Sequence, residues 1–122
     1  EEIFINGDGK TSRDFCFVDN AVQANILAAT TTDKRAMNNI YNVALGDRTS
    51  LNELYKILRD LISQKNTIRH DKLVYHDFRD GDVRHSQADI TKAHKLLGYR
   101  PTHRVLVGLE NTVNWHFKKT YQ

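Results

Sequence analysis

Cysteine, proline and methionine each occur once in the 122 residues, and glycine only six times. Cys16 has no partner for an internal disulfide and reads as a small buried hydrophobe rather than a nucleophile. So little proline and glycine excludes collagen-like, mucin-like and long linker segments. No apolar run exceeds a few residues, which excludes a membrane-spanning helix. With a single cysteine nothing suggests a secreted, disulfide-built framework, and a reducing, cytoplasmic setting is expected. Charge of one sign is scarce as well: 18 Lys and Arg stand against 15 Asp and Glu, a net +3. The basic residues are scattered and lack the dense footprint of a nucleic-acid surface; neither a nucleic acid nor a membrane is expected as partner. The chain opens Glu1-Glu2-Ile3 without a methionine and reads as part of something longer.

What is present is an alternation of strand and helix signals. Ile3, Phe4 and Ile5 close an extended apolar stretch, and Gly7-Asp8-Gly9 marks a turn. Residues 13–18 alternate as a strand, with Phe15 and Phe17 on one face. Asp19 occupies an N-cap position ahead of a helix over 21–30; Val22, Ile26 and Ala29 form its apolar stripe, and Ala21, Ala24 and Ala28 a small-residue ridge suited to packing on a sheet. Residues 39–45 read as a short strand around Ile40, Tyr41 and Val43. Ser50 and Glu53 have capping-box spacing before the clearest helix, carrying Leu51, Leu54, Leu58, Leu61 and Ile62. Residues 73–76 read as a strand and 77–84 as a charged loop. Asp89 caps a helix through Leu97 that Gly98 ends, with Pro101 beyond. A final helix over 105–119 carries Leu106, Leu109, Val113 and Phe117 on one face. This order predicts an α/β chain: the C-terminal end of a doubly wound domain plus a small appended α+β lobe.

Few residues carry chemistry by themselves. Gly7-x-Gly9 without a third glycine is either a phosphate loop or, on its turn signals, a hairpin turn. Arg13 in an apolar context offers a planar fork that fits phosphate oxygens, or it pairs with Asp14 or Asp19. Arg79-Asp80-Gly81-Asp82 presents a cation and a carboxylate around a glycine; it is a ligand loop or a solvated charge run. His70, His76 and His85 have no metal-ligand spacing with Cys16, so no metal is expected.

Taken in order, 6–15 (Asn6-Gly7-Asp8-Gly9-Lys10-Thr11-Ser12-Arg13-Asp14-Phe15), 18–24, Ile40-Tyr41-Asn42-Val43-Ala44, 79–86 (Arg79-Asp80-Gly81-Asp82-Val83-Arg84-His85-Ser86), 96–101, Gly108-Leu109 and Trp115 resemble extended short-chain dehydrogenase/reductases acting on nucleotide sugars. The pattern is most similar to that of bacterial UDP-N-acetylglucosamine 4-epimerases. The resemblance covers essentially the whole chain. It implies that residues 1–122 are the C-terminal, substrate-binding part of an NAD-dependent enzyme whose cofactor-binding Rossmann-type domain precedes them, and that the parent is a homodimer. Arg13 and Arg79 match the arginines that clamp the UDP diphosphate, and Asp82 matches the carboxylate that holds the uridine ribose. Phe4 and Ile5 fall where the family's strand meets uracil through its backbone. Ser86 matches a position beside the sugar, where a small residue admits an N-acetyl group.

The family's glycine-rich NAD loop and its Tyr-x-x-x-Lys pair are absent: Tyr75 is followed four residues later by Arg79. No catalytic or cofactor-binding residue is therefore expected in this chain, which alone would be inactive. The parent's reaction would be UDP-GlcNAc/UDP-GalNAc 4-epimerisation through a transient 4-keto sugar. A 4,6-dehydratase or decarboxylase of the same superfamily, or a non-catalytic nucleotide-sugar-binding module, are the other readings.

Overall fold

The structure, a computed structural model, describes residues 2–65 and 72–120; His70, weighed above as a metal ligand, lies outside them. In chain order the elements are β1 (Ile3–Asn6), β2 (Ser12–Arg13), α1 (Val18–Thr30), β3 (Thr49–Ser50), α2 (Leu51–Ser63), β4 (Leu73–His76), α3 (Thr91–Leu97) and α4 (Val105–Thr120). They fall into two compact units, one made of Glu1–Arg13, Thr49–Ser86 and Leu109–Gln122, the other of Asp14–Arg48 and Gln87–Gly108.

In the first unit β1 and β4 run parallel, with Ile3 opposite Leu73 and Asn6 opposite His76. Parallel neighbours cannot be joined by a tight turn, and α2 lies in the sequence between them. The helix starts where the sequence places it. Ser50 Oγ accepts from the Glu53 amide at 3.2 Å while Glu53 Oε2 accepts from the Ser50 amide at 2.8 Å, satisfying two otherwise free N–H groups. The Leu51, Leu54, Leu58, Leu61 and Ile62 stripe is half-buried. Beside it β2 pairs antiparallel with β3, and Ser12 also bridges to His85.

The second unit is built on Ala24 of α1, Ala93 of α3 and Tyr99, with Leu27, Tyr41, Val43 and Ile90 around them. The small-residue ridge of α1 thus packs through Ala24 against a helix, whereas the Val22–Ile26 stripe is exposed. Tyr99 is fully buried, and its hydroxyl donates to the Ala44 carbonyl at 2.8 Å. Buried Asn20 donates to the His103 carbonyl at 2.8 Å and accepts from the amides of Thr102 and His103 at 2.9 and 3.1 Å, which anchors the segment leading into α4. Gly98 ends α3 in the left-handed conformation at φ 70°, as its position predicts.

Several expectations fail locally. The strand over 13–18 stops at Arg13, because Asp14 turns its carboxylate to the amides of Leu45, Gly46 and Ala88 at 2.9, 2.9 and 3.2 Å. Phe17, not Asp19, holds the N-cap position of α1, without a side-chain cap. Residues 39–45 form no strand: among the described residues no strand pairs with them, and β propensity without a partner makes no ladder. Asp89 makes an Asx turn to the Thr91 amide at 2.9 Å, and α3 starts two residues later. Gly7–Gly9 is no hairpin turn either, since β1 and β2 belong to different sheets. Cys16 is exposed rather than buried.

Candidate functional site

All six residues singled out by the resemblance, Phe4, Ile5, Arg13, Arg79, Asp82 and Ser86, lie in the first unit. Arg13 ends β2. Its Nη1 donates to the Ser12 carbonyl at 2.9 Å, and its Nη2 meets Asp82 in a close ion pair. The partner is therefore Asp82, neither Asp14 nor Asp19. Arg79 opens the turn that Asp82 closes, the Asp82 amide bonding to the Arg79 carbonyl at 3.2 Å. With the Asn6 amide oriented to accept, its oxygen takes Arg79 Nε at 2.8 Å and Nη2 at 3.1 Å, so Arg79 is held at the C-terminal end of β1. Each guanidinium thus has a fixed neighbour, which reduces the freedom a ligand would have to remove.

β1 offers a backbone edge. The Gly7 amide bonds to the His76 carbonyl at 2.9 Å, so by strand alternation Ile3 and Ile5 direct their polar groups to β4 while Phe4 and Asn6 direct theirs away. Among the described residues no strand covers that outer edge. Of the two strand residues, Phe4 has the backbone that could meet a planar base. Ile5 is buried, and the exposed Phe4 ring stacks on His76 with centroids 4.6 Å apart.

Ser86 is exposed. Its amide donates to the Ser12 carbonyl at 3.1 Å, while its hydroxyl has no hydrogen bond among the described residues. The neighbouring His85 Nδ1 lies 2.8 Å from Ser12 Oγ.

Three residues given no role in the sequence reading hold this cluster together: Asn6, Asp8 and Arg84. Asp8 Oδ1 accepts from Arg84 Nη1 at 2.8 Å and Oδ2 from Nη2 at 2.5 Å. Hydrogen bonding from Arg84 draws the Asp8 carboxyl down to about 2. The sequence contains both residues in the motifs quoted, but no local signal links positions so far apart. An open hollow of about 430 Å³ lined by Gly46, Gln87, Ala88, Asp89, Ile90 and Thr91 belongs to the second unit and includes none of the candidates. The clustered arginines, carboxylates and strand edge suit an anionic ligand with a flat polar base.

Residues 1–112 match the family described as GDP-mannose 4,6 dehydratase. The UDP-glucose 4-epimerase of Thermotoga maritima, solved with UDP-glucose, is 38% identical with a TM-score of 0.84, covering 100% of this chain and 36% of that one. The UDP-N-acetylglucosamine 4-epimerase of Methanobrevibacter ruminantium, in complex with UDP-N-acetylmuramic acid, is 34% identical with a TM-score of 0.81, covering 98% and 36%. MoeE5, in complex with UDP-glucuronic acid and NAD, is 28% identical with a TM-score of 0.82, covering 98% and 38%. The chain spans about a quarter to a third of the length of the curated relatives it matches, which include UDP-sugar 4-epimerases at 34% and 36% identity.

Proposed function

The chain belongs to the family described as GDP-mannose 4,6 dehydratase, and from that premise we propose that it forms the nucleotide-sugar-binding part of a larger NAD-dependent UDP-sugar 4-epimerase. The observation that carries the reading is the pair of anchored guanidiniums: Arg79 on Asn6, and Arg13 on Ser12 and Asp82. A planar fork held in place matches diphosphate oxygens with paired hydrogen bonds. In this reading Arg13 and Arg79 take the diphosphate, Asp82 accepts from the ribose hydroxyls, and the outer backbone edge of β1 at Phe4 reads uracil; Ile5 backs that edge from the buried side.

The finer substrate is UDP-GlcNAc and UDP-GalNAc. Its support is Ser86, a small exposed residue with a free hydroxyl among the described residues, and the likeness to an epimerase of UDP-N-acetylglucosamine. The glycines of the Gly7–Gly9 loop do not fit the NAD itself. Gly7 and Gly9 have positive φ, yet the Phe78 ring closes over one and the Asn52 side chain over the other, so neither leaves its backbone open to a pyrophosphate. NAD would be held outside this chain, and no step of the redox chemistry is assigned to its residues. A homodimer of the whole protein is part of the same proposal.

The test is calorimetric titration of the full protein carrying this chain with UDP, UDP-GlcNAc, UDP-glucose and GDP. UDP should bind and GDP should not compete. Arg13→Ala and Arg79→Ala should each weaken UDP at least about tenfold, as loss of a desolvated charge partner does. Unchanged UDP affinity in both variants would overturn the diphosphate assignment.

A further inference from the structure

We propose that Asp8 and Arg84 form a clasp whose role is to position the 79–82 turn, and with it Arg79 and Asp82, for the nucleotide. This rests on the UDP reading above. The turn has little to hold it from within. Its one internal bond is the 3.2 Å contact from the Asp82 amide to the Arg79 carbonyl, and Gly81 sits at φ 75° with open space where a side chain would be. Its end residues are held through their side chains, Arg79 on Asn6 and Asp82 on Arg13, and the backbone between them takes its path from the flanks.

Both flanks close on the Gly7–Lys10 loop. On the entering side, the Phe78 ring packs where a Gly7 Cβ would stand, and Gly7 has φ 80°, a conformation that glycine adopts without strain. On the leaving side, Arg84 reaches Asp8 through two parallel bonds of 2.8 and 2.5 Å. The two flanks also meet each other, because the Arg84 guanidinium lies over the Phe78 ring at 5.2 Å. Asp8 is itself oriented: the Lys10 amide donates to its Oδ1 at 2.9 Å, and Asn52 ties the loop to α2 through the Asp8 carbonyl at 3.2 Å and the Gly9 carbonyl at 3.0 Å.

Asp8 and Arg84 side chains remain about two-fifths exposed, at 40% and 41%. An ion pair this open adds little to stability. A two-bond guanidinium–carboxylate fork nevertheless fixes distance and orientation together. Asp8 and Arg84 are thus positioning residues that act on Arg79 and Asp82 without touching the ligand.

The experiment uses the full protein carrying this chain, with Asp8→Asn, Arg84→Lys and the exchanged pair Asp8→Arg with Arg84→Asp. Two readouts are taken: amide hydrogen exchange at Asp82, and UDP affinity with KM and kcat. Asp8→Asn and Arg84→Lys should each speed exchange at the Asp82 amide and raise KM and the UDP dissociation constant about tenfold, as small misplacements of binding groups do, with kcat unchanged. The exchanged pair should recover most of both losses, and the melting temperature should move little in any variant. Unaltered exchange at Asp82 in Asp8→Asn overturns the clasp. Faster exchange with wild-type UDP affinity overturns its role in ligand positioning. If the wild-type protein does not bind UDP, the nucleotide reading falls, while faster exchange still establishes the clasp as the anchor of the turn.

Discussion

Arg79 and Ser86 sit seven positions apart on one segment and are constrained in opposite ways, so their substitutions should fail differently. Arg79 uses two nitrogens on one Asn6 oxygen, a grip that a single ammonium cannot reproduce. Arg79→Lys should therefore leave UDP binding about fivefold weaker or more, measured by calorimetry against Arg79→Ala. Among the described residues Ser86 is bound through its amide alone, to the Ser12 carbonyl, and it does not cap α3, whose N-cap is Ile90. Ser86→Tyr should shift stability by no more than about 0.5 kcal/mol, as exposed substitutions do. The ratio of kcat/KM for acetylated over non-acetylated UDP-sugars should nonetheless fall about tenfold, because a ring beside the C2 substituent overpacks only the larger substrates. Equal loss on acetylated and non-acetylated sugars would end the steric reading. The motif positions Arg13, Arg79, Asp82 and Ser86 could be picked out in the sequence. Their partners could not: Arg13 meets a carboxylate 69 positions away and Asp8 a guanidinium 76 away, distances at which residue type and spacing are silent.

Helices announce themselves more faithfully than strands here, and their ends are testable. Ser50→Ala removes the side-chain half of a capping box, the bond from the Glu53 amide to Ser50 Oγ, while the residue-50 amide keeps its bond to Glu53; it should cost about 1 kcal/mol in urea unfolding. Asp19→Ala, at the position the sequence favoured as a cap, should cost under about 0.5 kcal/mol, since Phe17 holds that place and makes no side-chain cap. Gly108 lies inside α4, where Gly→Ala ordinarily gains about 1 kcal/mol of helix propensity. A Cβ there would stand 2.9 Å from Phe17 Cβ, so relief must come from moving Phe17 or the helix. Overpacking costs about 1–3 kcal/mol, and Gly108→Ala should lower the melting temperature instead of raising it. A gain would show that Phe17 yields freely.

Across the whole molecule, each unit has its own pH boundary. In the first, Asp8 is drawn from 3.8 to about 2, chiefly by the hydrogen bond from Arg84. A depressed carboxyl contributes fully above its unfolded value and loses that contribution as pH falls toward the folded one, so the clasp should open between about pH 4 and 2; because the pair is exposed, the opening should show as faster exchange at the Asp82 amide and not as a lower melting temperature. In the second unit, burial raises the Tyr99 hydroxyl from 10.0 to about 12. A raised tyrosine contributes below its unfolded value and loses that contribution as pH climbs through the folded one; stability should decline between about pH 10 and 12, and Tyr99→Phe should flatten the decline while costing about 1–3 kcal/mol at neutral pH for the stranded Ala44 carbonyl. Circular dichroism melts would check the alkaline limb and amide exchange at Asp82 the acid one. By itself the sequence determined what depends on neighbours a few residues away: the capping box at Ser50, the apolar stripe of α2, the left-handed stop at Gly98 and the α/β order. Only the tertiary structure decided which carboxylate each arginine meets, that residues 39–45 form no strand while 3–6 and 73–76 pair in parallel, and that α1 buries Ala24 and exposes Val22 and Ile26. A cap or a periodic face closes within one or two turns of chain, whereas a ladder or a long-range ion pair exists only when folding brings distant segments to the same place.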